Sequence, residues 1–488
     1  MVLTIVAWVL FLFTVGGSGF VALRPFPLFR LERVAVGVVV GATLLPFGLF
    51  LFNSVTHAEI LDEGRAGFFF SVLVVVVIFA LLFWELFSKR TSKIITLKPA
   101  QPPLPPLHNL VRWLLLLSLV AFFYVVVEGV TKPIFGWDEF SYWLYAAKLL
   151  YLTGGASTAL RHDLYSSYPL GFPYLVAWCD HFLGVTSISA AKWISPIVTL
   201  ATLVALERAL ERSGVRSPYA LLGCALTAWG SFMMLNYNWL AFGEMVFVDT
   251  YALAALYVAI WLRERRGEDL VLSCLLLGLT TFLRVDGTYI AVFTLVLLFI
   301  SNIRNGFAAS RRQWFSAFAL AFIPAVAWYA FRFVNHMNSG WTKRIFAATV
   351  TARLHSPVLP ALLHSMWATV GNLGQYPIDL LLLLLVVTWP FSRRRDVFFL
   401  TALSIAQLAY LFVTYLTVFT TYEAMHASSL PRYMLRNDPL IAIAFALLIS
   451  GVGKTAVSYR RQAGKRRNTS RIKVRHKAAN GAMRRGHN

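Results

Sequence analysis

Charge is scarce in this chain, and negative charge scarcer still. Only 14% of the 488 residues are charged, and the 44 Lys and Arg outnumber the 22 Asp and Glu two to one. A soluble globular chain carries about 25% charged residues, so a wholly water-facing surface is excluded. Cysteine is nearly absent. Cys179, Cys224 and Cys274 are too few and too scattered for a disulfide framework or a metal cluster. No His/Cys grouping has zinc-ligand spacing. Gly451-Val452-Gly453-Lys454-Thr455 looks superficially like a phosphate loop, but it lacks the first glycine at the required distance and a preceding strand. No signature of a soluble enzyme is left.

What the chain has in abundance is apolar sequence. Hydrophobic residues make up 58% and the mean hydropathy is +0.67. They come in blocks of about 16–24, long enough to cross a bilayer. The expectation is an all-α polytopic membrane protein. Val2–Leu23 has no basic leader and no small-x-small cleavage site, so it reads as a retained span.

Lysine and arginine bias sets the sidedness. The basic stretches Arg24–Arg33, Lys89–Lys98, Arg208–Arg216, Arg263–Arg266, Arg304–Arg312 and Arg393–Arg395 go inside, and the acidic His57–Arg65 goes outside. Alternation between them predicts thirteen spans, four in the first 130 residues and nine near 190–207, 217–235, 239–262, 270–285, 287–302, 313–331, 375–391, 397–418 and 438–452, with the N-terminus outside and the C-terminus cytoplasmic in a plasma (inner) membrane. Residues 170–184 contain Pro173, Asp180 and His181 and are expected to form an outer-surface or re-entrant helix rather than a span. The tail from Lys454 to Asn488 holds 12 Lys/Arg and no acid. It reads as a disordered cytoplasmic segment against anionic lipid, without nucleic acid. The expected organisation is an N-terminal extension of three spans (1–109), a transmembrane core (110–452) and the basic tail (453–488).

The few acids and the unusual cations fall at one predicted face. Asp138 and Glu139 sit among aromatic rings in Gly136-Trp137-Asp138-Glu139-Phe140-Ser141-Tyr142-Trp143, just after the apolar run Val111–Val130. Charges at such a depth are costly unless solvated or paired. In a helix the two carboxylates point about 100° apart, so one can act as a base while the other holds the loop or pairs with a cation. Alternatively Asp138 is only the cap of an amphipathic interfacial helix over 139–150. The same face receives Tyr168, in a proline-rich entry to the next helix, with Glu244 and Asp249, Arg284 and Asp286, Arg332, and His426, Arg432 and Tyr433. Glu244 and Asp249 lie about 140° apart around a helix and do not share a face. Glu244 could pair with Arg284, and Arg284 with Asp286. Arginines at span mouths suit phosphate oxygens, or else anchor helices at the interface. Carboxylates with Arg and His at a membrane surface suit an anionic, lipid-anchored phosphate and a polar acceptor.

These residues, in this order, resemble the GT-C superfamily of polytopic glycosyltransferases. The resemblance is carried by Trp137-Asp138-Glu139, Tyr168-Pro169-Leu170, Glu244 with Asp249, Leu279 through Arg284-Val285-Asp286-Gly287, and His426 through Arg432-Tyr433, over roughly 110–450. The lipid-A aminoarabinose transferase and protein O-mannosyltransferase types are the nearest in pattern. The resemblance implies a GT-C-like helical bundle with outward-facing amphipathic loop helices. It implies a polyprenyl-phosphate sugar donor, Asp138 as base, Arg284 and Arg432 near the donor phosphate, and Glu244 in the cavity wall. Asp138 and Glu139 are thus the catalytic candidates and the other residues the substrate-binding ones. Three extra spans at the start, and no soluble C-terminal domain, depart from the pattern and point to a glycolipid or cell-envelope glycan acceptor rather than a peptide. The phosphate leaves readily, so no metal is chemically required, although a divalent ion is compatible. The alternative function is a secondary transporter of a polar or anionic solute, and a further one is a flippase or scaffold partner in which Asp138 and Glu139 only start a helix.

Overall fold

The computed structural model describes residues 2–56, 105–134, 138–161, 168–230, 239–303, 309–337, 347–388 and 394–451, together with positions 74, 75, 77 and 237. The expected third span, between the His57–Arg65 and Lys89–Lys98 loops, and the basic tail lie almost wholly outside them. All regular structure among the described residues is helical.

Two long helices come first, α1 (Val2–Ala22) and α2 (Arg30–Thr56). They cross with almost no side chain between them. A Cβ on Gly19 would lie 1.9 Å from Gly37 O, and one on Gly41 1.7 Å from Val15 O. Small residues permit this close backbone approach inside a bilayer. Next is α3 (Pro105–Thr131), followed by a π-helical turn (Glu139–Trp143) that continues into α4 (Leu144–Thr153). Gly154 ends α4 in a left-handed conformation, φ 66°, which glycine adopts without steric cost. The short α5 (Ala156–Arg161) and α6 (Gly171–Leu183) complete the loop helices. At 13 residues, α6 is about 20 Å long, too short to span, as its polar content suggests.

The rest of the bundle is α7 (Ile188–Arg212), α8 (Ser217–Trp229), α9 (Gly243–Glu264), α10 (Gly267–Leu283), α11 (Val285–Ile303), α12 (Arg311–Val334), α13 (Ala347–Leu354), α14 (Val358–Val370), α15 (Asp379–Thr388), α16 (Arg395–Thr417), α17 (Thr421–His426) and α18 (Leu430–Met434). After a turn at 435–436, α18 runs on as helix to 451. A capping box, Ser310 with Gln313, starts α12 and satisfies donors that a helix start leaves open.

Among the described residues, eight helices are long and apolar enough to cross a membrane: Thr4–Ala22, Arg30–Val55, Ile188–Arg212, Gly243–Glu264, Val285–Asn302, Arg311–Val334, Arg395–Thr417 and Leu430–Gly451. The chain is an all-α, multi-pass membrane bundle. Of the thirteen expected spans, two are shorter helices among the described residues: the helix from 217 ends at Trp229, and the described part of the segment expected over 375–391 is helical from Asp379 to Thr388. The helix from 267 reaches 17 residues, at the lower limit for crossing.

α9 is the axis. Its whole apolar window is buried, against a third of the windows of α1 and α12, which face outward. The first two helices are built into the bundle, since α2 carries polar keys at both ends. At one end the Arg212 guanidinium donates to Glu32 (3.0 Å) and to Asp269 (2.8 Å), and the Tyr257 hydroxyl donates to Glu32 (2.9 Å). This joins α2, α7, α9 and α10. At the other end Asn53 accepts from the Ala156 N–H (3.0 Å) and the Tyr174 hydroxyl (3.2 Å) and donates to the Gly154 carbonyl (2.8 Å). The α2 terminus therefore fixes the turn between α4 and α5. The Trp178 indole N–H donates to Thr14 (3.0 Å) and ties α6 to α1.

Candidate functional site

Four pieces of chain that end or begin at the same end of the bundle bring together a buried charge cluster. The π-helical turn presents Asp138, the first turn of α9 presents Glu244, the α10–α11 junction presents Arg284 and Asp286, and the last span presents Arg432 and Arg436. The junction is tight: a Cβ on Gly287 would lie 2.3 Å from Thr280 O, so only glycine lets α11 start so close to the end of α10.

Glu244 is the hub. One carboxylate oxygen pairs with Arg284 and lies 3.8 Å from Arg432 Nε, and the other is 3.2 Å from Arg436. Asp286 receives Arg284 at 3.0 Å and Arg436 at 2.5 Å. Arg432 donates to Asp138 across 294 positions of sequence. Three guanidiniums face three carboxylates, so the formal charges cancel. Such balance is what makes buried charge tolerable. Tyr433 sits among the three arginines, whose guanidinium carbons lie 5.6 Å (Arg284), 5.2 Å (Arg432) and 4.8 Å (Arg436) from its ring centre. Phe247 backs Arg436 at 5.0 Å.

Exposure falls steadily into this cluster. The side chain of Asp138 is 36% exposed, that of Arg432 17%, and that of Glu244 1%. Asp138 therefore stands at the mouth with the arginines behind it. It heads the π-helical turn but makes no side-chain cap hydrogen bond. Its carboxylate goes to Arg432, which argues against the simple helix-cap reading. Glu139 points elsewhere. It is fully buried and accepts the Ala241 N–H at 2.8 Å, holding the chain that leads into α9. The two adjacent acids thus have different surroundings, one at the mouth and one inside.

Aromatic packing fixes the turn. The Tyr142 hydroxyl donates to the carbonyls of Tyr168 (3.0 Å) and Pro169 (3.1 Å), and Trp143 packs edge-on to Tyr168 and Phe172. Tyr168 borders the charge cluster. Burial raises its hydroxyl above the ordinary tyrosine range, Tyr433 adds to the rise, and Arg284 and Arg432 oppose it. From below, the Lys192 ammonium donates to the carbonyls of Lys132 (2.8 Å), Pro133 (3.3 Å) and Gly129 (3.5 Å). It neutralises the carbonyl end of α3 just before the acidic turn.

Three of the expected residues lie apart from the cluster. Asp249 is fully buried on another face of α9 and accepts the Thr199 hydroxyl of α7 at 2.6 Å. Arg332 ends α12 and donates to the Met337 carbonyl at 3.5 Å. His426 is exposed, stacks on Tyr422 (4.3 Å) and contacts the Tyr422 carbonyl through Nδ1 at 2.9 Å. Its segment is shaped by Glu423, which receives Ser428 and the Ser429 N–H (2.7 Å). Burial alone would raise that carboxyl, but the serine hydrogen bonds hold it below the usual range. Trp137 lies outside the described residues. Two members of the site were not among the expected substrate-binding residues. Arg436 was legible as a member of the same face, four positions after Arg432, without being given a binding role. Lys192 had no signal beyond being a lone lysine in a span.

No group of three or more His, Cys, Asp or Glu among the described residues is placed to hold a metal ion. The fold and site define a polytopic helical membrane protein with an outward-graded Arg/carboxylate cluster at one end. No family model matches the chain, and no curated protein or solved structure matches it either.

Proposed function

We propose that the protein is an inverting glycosyltransferase. It would move a sugar from a polyprenyl-phosphate donor to an acceptor hydroxyl on a glycolipid or cell-envelope glycan, at the extracytoplasmic face of the plasma membrane. One observation carries the reading: the half-exposed Asp138 is held by Arg432 at the mouth of a cluster whose inner arginines are buried. An arginine fork is matched to phosphate oxygens. A donor phosphate arriving at Arg432 would take over the guanidinium and release the Asp138 carboxylate. Asp138 would then accept the proton of the acceptor hydroxyl as that oxygen attacks the anomeric carbon. The C–O bond to phosphate breaks, and the departing lipid phosphate keeps the electron pair, its charge met by Arg432 and Arg284. The basic tail would lie against anionic lipid on the cytoplasmic side.

Secondary transport of an anion is the competing reading, favoured by the depth at which Arg284, Arg436 and Glu244 are buried. Transfer of labelled sugar from a polyprenyl-phosphate donor, in membranes containing wild type or Asp138→Asn, decides between them. Transfer by the wild type that is lost in Asp138→Asn at equal protein level is expected. Full turnover in Asp138→Asn overturns the base assignment, and no transfer with saturable solute uptake assigns the cluster to transport.

A further inference from the structure

One acid deep in the bundle has no cation beside it. Asp249 is fully buried in α9, five residues and so about 7.5 Å along the helix from Glu244. α7 faces it with a polar stripe. Ser195, Thr199 and Thr202 follow at helical spacing, and all three are buried. Ser195 donates to the Phe242 carbonyl, just before α9 (3.5 Å), and Thr199 donates to Asp249 Oδ2 (2.6 Å). Thr202 stands within reach of the same carboxyl. Yet neither its hydroxyl nor Asp249 Oδ1 closes a hydrogen bond of normal geometry among the described residues. Native folds leave few such groups unexplained, and here one lies on each of two touching helices.

The charged groups on the helices around α9 are engaged elsewhere. On α7, Lys192 holds the carbonyl end of α3, and Arg212 holds Glu32 of α2 and Asp269 of α10. Arg284, at the end of α10, and Arg436, in the last span, hold Glu244 and the Asp286 of α11. On α6, Asp180 accepts the Ser187 N–H (3.0 Å) and His181 stacks on Trp178. On α16, Asp396 pairs with Arg394, and the inner polar group, Gln407, donates to Tyr251 (2.6 Å). An ionised Asp249 would have a hydroxyl donor and no counter-charge. A charge isolated in a low-dielectric interior is neutralised rather than kept. The neutral acid has what the anion lacks, a donor on Oδ1 for the Thr202 oxygen.

We propose that Asp249 is a proton-binding site inside the membrane bundle, carried as the neutral acid, with its Oδ1 hydroxyl donating to Thr202 while Thr199 donates to Oδ2. The bound proton fastens α7 to α9, the helix whose first turn carries Glu244. A divalent cation does not suit the site, because one carboxylate beside threonine hydroxyls falls well short of the oxygen shell that calcium or magnesium takes. The site is independent of the transfer reading, and its test needs no turnover.

Infrared spectra of the full-length protein in lipid vesicles at neutral pH, wild type minus Asp249→Asn, test this. The carbonyl stretch of a protonated carboxylic acid is expected in the wild type and lost in Asp249→Asn, whose amide keeps the shape and supplies an N–H in place of the acid hydroxyl. Thr202→Val, which keeps volume and branching, should shift the band without removing it, and this variant carries the test if Asp249→Asn fails to accumulate. A difference spectrum with carboxylate bands and no acid band overturns the proposal. So does an acid band that stays unmoved in Thr202→Val. Stabilisation by sodium chloride over choline chloride at equal ionic strength that vanishes in Asp249→Asn also overturns it, by assigning a metal cation to the carboxylate.

Discussion

Glu244→Gln is the most direct test of how the charge cluster is built. The substitution keeps shape and volume but removes one of three negative charges facing three guanidiniums. The Glu244 side chain is 1% exposed, that of Arg436 2% and that of Arg284 5%, so solvent screens little of the loss. Breaking a buried ion pair on one side costs about 3–5 kcal/mol, because the partner charge stays behind unpaired. That is roughly two to four decades in the folding equilibrium. Reversible unfolding of the detergent-solubilised protein should show it. The double variant Glu244→Gln/Arg436→Gln restores formal neutrality. It should therefore lose less than the sum of the two singles, with a coupling of about 0.5–3 kcal/mol. A single-variant loss under about 1 kcal/mol, or strict additivity in the cycle, would refute the account of Glu244 as a charge-balancing hub.

Arg432→Lys should raise the donor KM several-fold while leaving the acceptor KM unchanged, because lysine lacks the planar fork; steady-state kinetics with each substrate varied in turn checks this. Arg284→Ala should act in the same direction and also lower protein yield, since it strips both Glu244 and Asp286 of a partner. Lys192→Met removes the cation from the carbonyl end of α3 and should lower turnover with little change in donor KM, because it disturbs the acidic turn rather than the phosphate contacts; an unchanged turnover number would remove Lys192 from the positioning role. Lys148→Cys in α4 and Arg312→Cys in α12, both exposed, should be labelled by an impermeant thiol reagent from opposite sides of the membrane in a background whose native cysteines are all buried.

Much of the helical architecture is legible in the sequence, for a physical reason. In a bilayer every backbone polar group must be satisfied within its own segment, so a long apolar run has little choice but helix. The runs from Val2, Ile188, Gly243, Val285, Arg311 and Arg395 appear as helices close to where hydropathy places them. Likewise Asp138, Glu244, Arg284, Asp286, Arg432 and Tyr433 could be expected at one end, because alternation of the chain across the membrane assigns each helix end to a side. The short helices were less legible. Apolar content near 217–235 and 375–391 says that a segment is buried, without saying whether lipid or protein buries it.

Partnership was decided only by tertiary structure. Sequence spacing put Glu244 and Asp249 on different faces of α9. Only packing could show that one face meets Arg284 and Arg436 while the other meets Thr199. Asp138 and Glu139 are adjacent and chemically alike, yet one reaches Arg432 and the other the Ala241 N–H. His426 and Arg332 had suitable chemistry and the same expected side and still lie outside the cluster. The sequence by itself determined which long segments are apolar enough to cross a membrane and put the charges of the cluster at one end, because transfer free energy is a local property of each segment. It could not determine which charge neutralises which, because that depends on helix rotation and on close approaches, such as that at Gly287, set by packing across the whole bundle.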